Sequence, residues 1–305
     1  MEGIVTKSTG SWYEVDVGQA LPIPCRLRGK IRLEDNGRTN PVAVGDHVRV
    51  HVERPNEAVI TEILPRTNHI IRKATNLSRQ HHVLAANIDQ VMLVASLARP
   101  RISPGFLDRY LVTCEAYGIR ALLVLNKSDS WTGAEWAQAD ELTAIYGAAG
   151  YPVCRTSALQ GEGMEALMAL LHDKITLVSG FSGVGKSSLL NRLFEPLKLK
   201  TGEVSHFSSK GTHTTTFAQM YSPLPGLRII DTPGIKEWGL ANIEGYELGH
   251  HFPEFRPYLS LCHFHTCTHA HEPNCGVRVA IEAGQLPLQR YKSYLSMLHN
   301  HDNRS

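Results

Sequence analysis

The run Gly180-Phe181-Ser182-Gly183-Val184-Gly185-Lys186-Ser187 limits the possible folds of this chain more than any other. It fits G-x-x-x-x-G-K-[ST] and lies between a strand-sized apolar run, Ile175–Ser179, and a helix predicted over Ser187–Phe194. Glycines in such a loop let backbone N–H groups turn toward phosphates, and the helix N-terminus adds positive potential. Lys186 would reach the outer phosphates of a nucleotide, Ser187 would bind Mg²⁺, and Ser188 carries the turn into the helix. A loop in this context implies an α/β domain with its ligand at the carboxyl ends of the strands.

The flanking sequence fits that domain. Strand-like runs at Val91–Leu97, Ala121–Leu125, Phe217–Tyr221 and Leu227–Ile230 alternate with helices predicted over Pro104–Tyr117 and Glu162–His172. The pattern predicts a largely parallel sheet covered on both faces. Residues 1–72 read differently. Short alternating runs at Trp12–Val17, Pro24–Leu33, His47–Val52 and Ala58–Leu64 are separated by turn signals such as Asp35-Asn36-Gly37 and Gly45-Asp46. About five strands in so short a stretch predict a small β-barrel of the OB or SH3 type. The polar segment Lys73–His82 reads as a linker. Three modules follow: a barrel over 1–72, an α/β nucleotide domain over 73–237 and a small helical module over 238–305.

A phosphate loop does not choose a base. Asn126-Lys127-Ser128-Asp129, directly after Ala121–Leu125, does. In an N-K-x-D element the aspartate accepts hydrogen bonds from guanine N1–H and its exocyclic amine. Adenine lacks that donor pair, so the carboxylate would stay unpaired. An ATPase or small-molecule kinase is therefore disfavoured by Asp129. Lys127 can lay its stem over the base, and Thr156-Ser157-Ala158-Leu159 resembles the loop that backs guanine. Asp231-Thr232-Pro233-Gly234 supplies a D-x-x-G element, with Asp231 near Mg²⁺ and the Gly234 N–H at the γ-phosphate. Between it and the phosphate loop, Lys210–Thr216 offers a threonine to sense the γ-phosphate, with Thr215 the first choice and Thr214 the next. All four elements of a GTPase are present in rotated order, the base motif preceding the phosphate loop. The chain reads as a circular permutation.

Three of the six cysteines crowd into Cys262-x4-Cys267-x-His269-x5-Cys275. Three thiolates and one imidazole make a closed tetrahedral set suited to one structural Zn²⁺, with no open position for catalysis. His263, His265 and His271 stand beside the set and compete with His269. Met1–Gly10 lacks the apolar core of a signal peptide, so a cytoplasmic metal site is expected rather than a disulfide framework. No run approaches eighteen apolar residues, so no membrane partner is expected. The net charge of +2 excludes a polybasic or acidic tail protein but averages over modules. Arg26, Arg28, Lys30 and Arg32 alternate along one predicted strand and so share a face. That face is either simply solvated or a phosphate-binding surface for structured RNA, with Arg49, Arg66, Arg72 and Lys73 adding to its field.

A β-barrel, a permuted GTPase domain and a C-terminal Cys/His cluster together resemble the bacterial RsgA (YjeQ) family of small-ribosomal-subunit-dependent GTPases. The resemblance covers essentially the whole chain and rests on Asn126–Asp129, Gly180–Ser188, Gly211–Thr216, Asp231–Gly234 and the cluster. It supports His269 as the fourth metal ligand. It implies GTP hydrolysis stimulated by the small ribosomal subunit, ribosomal RNA as partner, and a role in late assembly alongside other assembly factors. Nothing in the chain demands more than a monomer. Many GTPases carry a water-orienting glutamine just after D-x-x-G. Here Ile235 stands there, so intrinsic hydrolysis is expected to be slow. His213 is a candidate water-orienting group, or equally a surface histidine of a loop. The alternative reading is a nucleotide-gated RNA-binding module in which hydrolysis is incidental.

Overall fold

The structure, a computed structural model, describes residues 1–29, 41–54, 57–72, 82–194, 218–231, 243 and 245–299. In chain order the strands are β1 (Glu2–Ser8), β2 (Tyr13–Asp16), β3 (Ile23–Leu27), β4 (His47–Arg54), β5 (Glu57–Ile63), β6 (His69–Arg72), β7 (His82–Ala86), β8 (Gln90–Ser96), β9 (Arg120–Asn126), β10 (Val153–Thr156), β11 (Lys174–Ser179), β12 (Gln219–Leu224) and β13 (Leu227–Asp231). The helices are α1 (Pro104–Ala116), α2 (Gly133–Ala148), α3 (Met164–Leu171), α4 (Lys186–Leu193), α5 (Arg256–Leu259), α6 (Gly276–Glu282) and α7 (Leu288–Leu298). They fall into two compact units. One comprises Met1–Met92, Met164–Gly180 and Lys186–Glu237; the other comprises Leu93–Gly163, Phe181–Gly185 and Trp238–Ser305.

In the first unit, β1 pairs with both β2 and β4, which closes a five-stranded barrel in the order β1-β2-β3-β5-β4. The β3–β5 pair is parallel and its neighbours are antiparallel, a barrel of the OB type. Period-two alternation sends Val5, Tyr13, Val15, Cys25, Val48, Val50 and Ile60 inward, while Arg26 and Arg28 stay exposed. The Arg26 guanidinium lies 4.2 Å from the Trp12 ring centroid. Two other arginines of the expected basic field are engaged by carboxylates. Arg49 bonds Glu62 at 2.6 Å and Glu2 at 3.3 Å. Arg66 bonds the fully buried Asp46 through Nε at 2.6 Å and Nη2 at 2.7 Å. A buried carboxylate needs such a partner, so Arg66 is structural. Lys30, Arg32 and Lys73 lie outside the described residues.

The same unit holds part of the nucleotide-domain sheet. β11 and β13 run parallel, with Val178 opposite Asp231. β12 pairs antiparallel with β13 within the expected largely parallel sheet, and meets β1 at Gln219 and Lys7. In the second unit β9 and β10 are parallel, with Asn126 opposite Thr156, and β8 lies beside β9. Helix α1 begins where the Ser103 side chain accepts the Phe106 N–H. α2 starts with a capping box between Thr132 and Glu135.

The C-terminal module packs Leu248, Phe252, Phe255, Val277, Tyr294 and Met297 into one core that also takes Val112 from α1. Through that core runs Arg290, fully buried. Its guanidinium bonds Asp108 of α1 at 2.7 Å and Glu254 at 2.6 Å, and Tyr146 Oη donates to the same Asp108 oxygen at 2.8 Å. Burial opposes the charge, but the two carboxylates hold Arg290 firmly protonated. Removing one member of such a network leaves an uncompensated buried charge. Arg290→Ala should therefore cost about 3–5 kcal/mol, read as an earlier midpoint in urea unfolding, and a midpoint within error of wild type would contradict the assignment.

Candidate functional site

The carboxyl ends of β9 and β10 carry the base-recognition elements side by side. Asn126 is 1% exposed, and every polar atom of its amide is used. Nδ2 donates to the Val184 carbonyl of the phosphate loop at 3.0 Å. Oδ1 accepts from Thr156 Oγ1 at 3.1 Å and from the Ala158 N–H at 3.3 Å. One side chain thus ties the phosphate loop to the Thr156–Leu159 loop. Gly185 makes room for it: φ is +93°, and a Cβ there would stand 2.5 Å from Asn126 Nδ2. Lys127, in the left-handed region at φ +70°, reaches the carbonyls of Arg99 and Gly183, both at 2.6 Å. Its ammonium is therefore held at this end of the unit.

Asp129 is exposed, and Ser157 Oγ donates to one of its oxygens at 2.5 Å. The Ser157 hydroxyl in turn accepts the Gln160 N–H at 3.0 Å. Ser128 is buried and bonds Glu162 at 3.2 Å. The structure brings Asn126, Lys127, Ser128, Asp129, Ser157, Ala158 and the loop residues Phe181, Ser182, Gly183, Val184 and Gly185 into one constellation. Sequence reasoning named Thr156 only as part of the loop that backs guanine and missed Glu162, both of which orient these groups from behind, and Phe106, whose ring packs on Phe181 with centroids 4.1 Å apart. Thr156 carried a signal as the last residue of a strand entering Ser157-Ala158.

In the first unit the strand β11 leads into Gly180, and α4 begins at Lys186. Lys186 Nζ donates to the Gly180 carbonyl at 2.7 Å. Ser187 is half-buried and Ser188 exposed in the first turn of α4. Asp231 ends β13, in register with Val178 two residues before Gly180. A hydroxyl at the helix start and a carboxylate at the end of the adjacent strand are an oxygen donor set that suits Mg²⁺. Thr214, Thr215, His213, Gly234 and Ile235 lie outside the described residues.

The Cys/His cluster is in the second unit. The ligand atoms of Cys262, Cys267, His269 and Cys275 all lie within 4.8 Å of one another, a group that could hold a metal ion. Cys262 Sγ stands 3.5 Å from His269 Nδ1 and 3.9 Å from Cys275 Sγ, and His269 Nδ1 stands 3.4 Å from Cys275 Sγ. A tetrahedral zinc with bonds of about 2.3 Å to sulfur implies S···S edges of about 3.8 Å and S···N edges of about 3.6 Å. The donor set and these three edges fit. Among the described residues, His263, His265 and His271 are not part of the group.

Burial pushes the Cys267 thiol up to about 12 and lowers His269. The imidazole is thus kept neutral, as a ligand must be, while thiolates there need a cation. The surrounding bonds fix the ligand loop. Glu272 accepts from Thr268 N at 2.7 Å and Thr268 Oγ1 at 2.6 Å, and Tyr291 Oη donates to the His269 carbonyl at 2.7 Å. Burial works to raise the Glu272 carboxyl, but these hydrogen bonds prevail and hold it at about 2. Gly249 was not foreseen: a Cβ there would stand 2.8 Å from His269 Nε2.

Comparison with known proteins agrees with this geometry. The family models described as RsgA N-terminal domain and RsgA GTPase match residues 2–60 and 63–241. The small ribosomal subunit biogenesis GTPase RsgA 2 of Bacteroides thetaiotaomicron is 46% identical over 298 residues, covering 98% of this chain and 96% of the relative. The small ribosomal subunit biogenesis GTPase RsgA of Flavobacterium psychrophilum is 43% identical over 305 residues, with 99% and 94% covered. The crystal structure of YjeQ from Thermotoga maritima matches with a TM-score of 0.80 at 34% identity, covering 100% of this chain and 99% of that one. YloQ, described as a circularly permuted GTPase, matches with a TM-score of 0.77 at 29% identity over 100% and 96%.

Gly249→Ala should displace the His269 ring and weaken the fourth ligand. Elemental analysis is expected to find about one metal equivalent in the wild type and well under one in the purified variant. Full retention would show that the ring has room.

Proposed function

This chain belongs to the RsgA family of GTPases, and from that premise we propose that it works on the small ribosomal subunit as a late assembly checkpoint factor whose GTP turnover the subunit stimulates. The observation that carries this reading is the Asn126 knot, which joins a guanine-selective loop to a phosphate loop in a chain whose relatives are named for small-subunit biogenesis. Three modules share the work: an RNA-binding barrel over 1–72, the permuted GTPase domain over 73–237 and a metal-held module over 238–305. The protein acts as a cytoplasmic monomer in contact with ribosomal RNA and with other assembly factors. Among the described residues, no helix is long and apolar enough to cross a membrane.

In this reading Asp129 accepts the guanine N1–H and exocyclic amine, and the Ser157 hydroxyl fixes its rotamer. Lys127 lays its stem along the base face, held by its two carbonyl contacts. The N–H groups of Gly180–Ser188 wrap the phosphates. Lys186 exchanges the Gly180 carbonyl for phosphate oxygens, a charge-assisted bond in place of a neutral one. Ser187 and Asp231 would hold Mg²⁺, which neutralises charge on the outer phosphates when bound. Thr215 and the Gly234 N–H contact the γ-phosphate, and His213 orients the attacking water. Cys262, Cys267, His269 and Cys275 hold one structural Zn²⁺.

Ile235 favours a partner-completed site, because its side chain offers no hydrogen bond to water. The same residue supports a second reading, a nucleotide-gated RNA-binding module with incidental hydrolysis. Single-turnover GTP hydrolysis with and without small subunits separates the two. Many-fold stimulation is expected, as when a trans-acting group completes other GTPase sites. A fast isolated protein with no response to subunits would remove the proposal. Asp129→Asn should exchange guanine for xanthine nucleotides, because an amide donor then meets the xanthine carbonyl. Wild-type protein that binds ATP as well as GTP would defeat the base assignment.

A further inference from the structure

We propose that the second unit carries an oxyanion site of its own, outside the nucleotide site, where the N-terminus of α1 faces helix α7. A groove of about 500 Å³ is lined by Ser103, Gly105, Leu288, Gln289, Lys292, Ser293 and Ser296. Its chemistry is one-sided. Among the described residues no carboxylate lines it, α1 has no acidic residue in its first turn, and Lys292 is exposed with no acidic partner.

The thirteen-residue α1 presents the positive end of its dipole to this groove. Ser103 caps the Phe106 N–H, and Pro104 has no N–H to offer. The Gly105 N–H has no partner among the described residues and borders the groove. Two further observations point to a ligand. Ser293 is 7% exposed, lines the groove, and its hydroxyl has no partner among the described residues. Gln289 Nε2 is buried without a hydrogen-bond partner and lines the same groove. A buried polar group left unpaired is costly, and Gln289 Nε2 is one; together with the Ser293 hydroxyl, one open N–H and one lysine it makes a site waiting for an acceptor. An acceptor with several oxygens and negative charge satisfies all four. The chemical class is a phosphate group, either free or in a nucleic-acid backbone. Arg290, next to Gln289 in the chain, is consumed by Asp108 and Glu254 and takes no part. Phe106, one residue beyond Gly105, stacks on Phe181 of the phosphate loop, so an occupied groove is one side chain from the nucleotide site.

The test uses the full chain with its nucleotide site filled by a non-hydrolysable GTP analogue and Mg²⁺. Inorganic phosphate is titrated while the amide resonances of Ser103, Gly105 and Phe106 and of Gln289–Ser296 are followed by NMR. Saturable shifts confined to these residues are expected. Ser293→Ala, which removes only the hydroxyl, should weaken phosphate about tenfold, the equivalent of one bond to a charged group. Lys292→Glu should abolish the shifts. An absence of saturable shifts in wild type, or equal shifts in Lys292→Glu, overturns the site. A second arm, which rests on the ribosomal reading, identifies the source of the phosphate. Weaker small-subunit binding by Lys292→Glu, with a salt slope shallower by about one, assigns it to an RNA backbone. Unchanged subunit binding alongside lost phosphate shifts assigns it to a free phosphate. Because Lys292→Glu leaves the GTPase elements intact, subunit-stimulated turnover in wild type tests the earlier proposal separately.

Discussion

The Asn126 side chain is the interaction on which the guanine-recognition half depends. Rotation of the element order moves the phosphate loop downstream of the base motif, so chain continuity no longer brings them together in the usual sense. Hydrogen bonds must do so. A buried amide offers two donors and an acceptor oxygen, and here it reaches Val184, Thr156 and Ala158 at once. An aspartate could not donate to Val184, and a serine could not span the gap. Lys127 repeats the arrangement from the opposite side with the Arg99 and Gly183 carbonyls. The recognition loops are held by polar bonds from regular strands. Their rigidity therefore comes from β9 and β10, and their chemistry from the loops.

The C-terminal module draws its segments together at two places within the same unit. Its helices are short, α5 being four residues and α6 seven, too short to persist without tertiary support. The Cys/His cluster joins the segment after α5 to the start of α6, where Cys275 is the N-cap. The Arg290 network then fixes α7 to α1 through Asp108. Buried ion pairs add little net stability over a hydrophobic substitute, but they are intolerant of misplacement. That specificity sets the spacing between α7 and the first turn of α1.

How much of this was legible in sequence follows from how each part is encoded. The phosphate loop, the base motif and the cysteine spacing are local, so their residue types announce them. Strands β2 to β5, β8, β9 and β11 to β13 were visible because apolar residues alternate or run together, whereas the four-residue β10 was not. β1 was not, since Thr6 and Ser8 point inward and satisfy their hydroxyls on the Glu14 and Val42 carbonyls. Helix α2 was missed because Ala139, Leu142 and Tyr146 alone are buried, too thin a stripe to give a period. Gly249, Glu162 and the Arg290 triad are long-range. Each is an ordinary residue whose role exists only once the chain brings its partner close. The basic field failed in part for the same reason: Arg49 and Arg66 look like surface charge until Glu2, Glu62 and Asp46 are found beside them.

That last case bears on how a chain of net charge +2 can meet an anionic partner. A nearly balanced chain gains little from its total charge, so attraction must come from cations left without carboxylates. Folding decides which those are. In the barrel it withdraws Arg49 and Arg66 into ion pairs and leaves Arg26 and Arg28 exposed on one strand face. Arg26 is braced on Trp12, so its charge is presented at a fixed place with reduced loss of side-chain freedom on contact. In the C-terminal module folding withdraws Arg290 and leaves Lys292. The effective charge of each surface is set by these pairings. A relative with the same composition but different pairings would present a different face to the same partner.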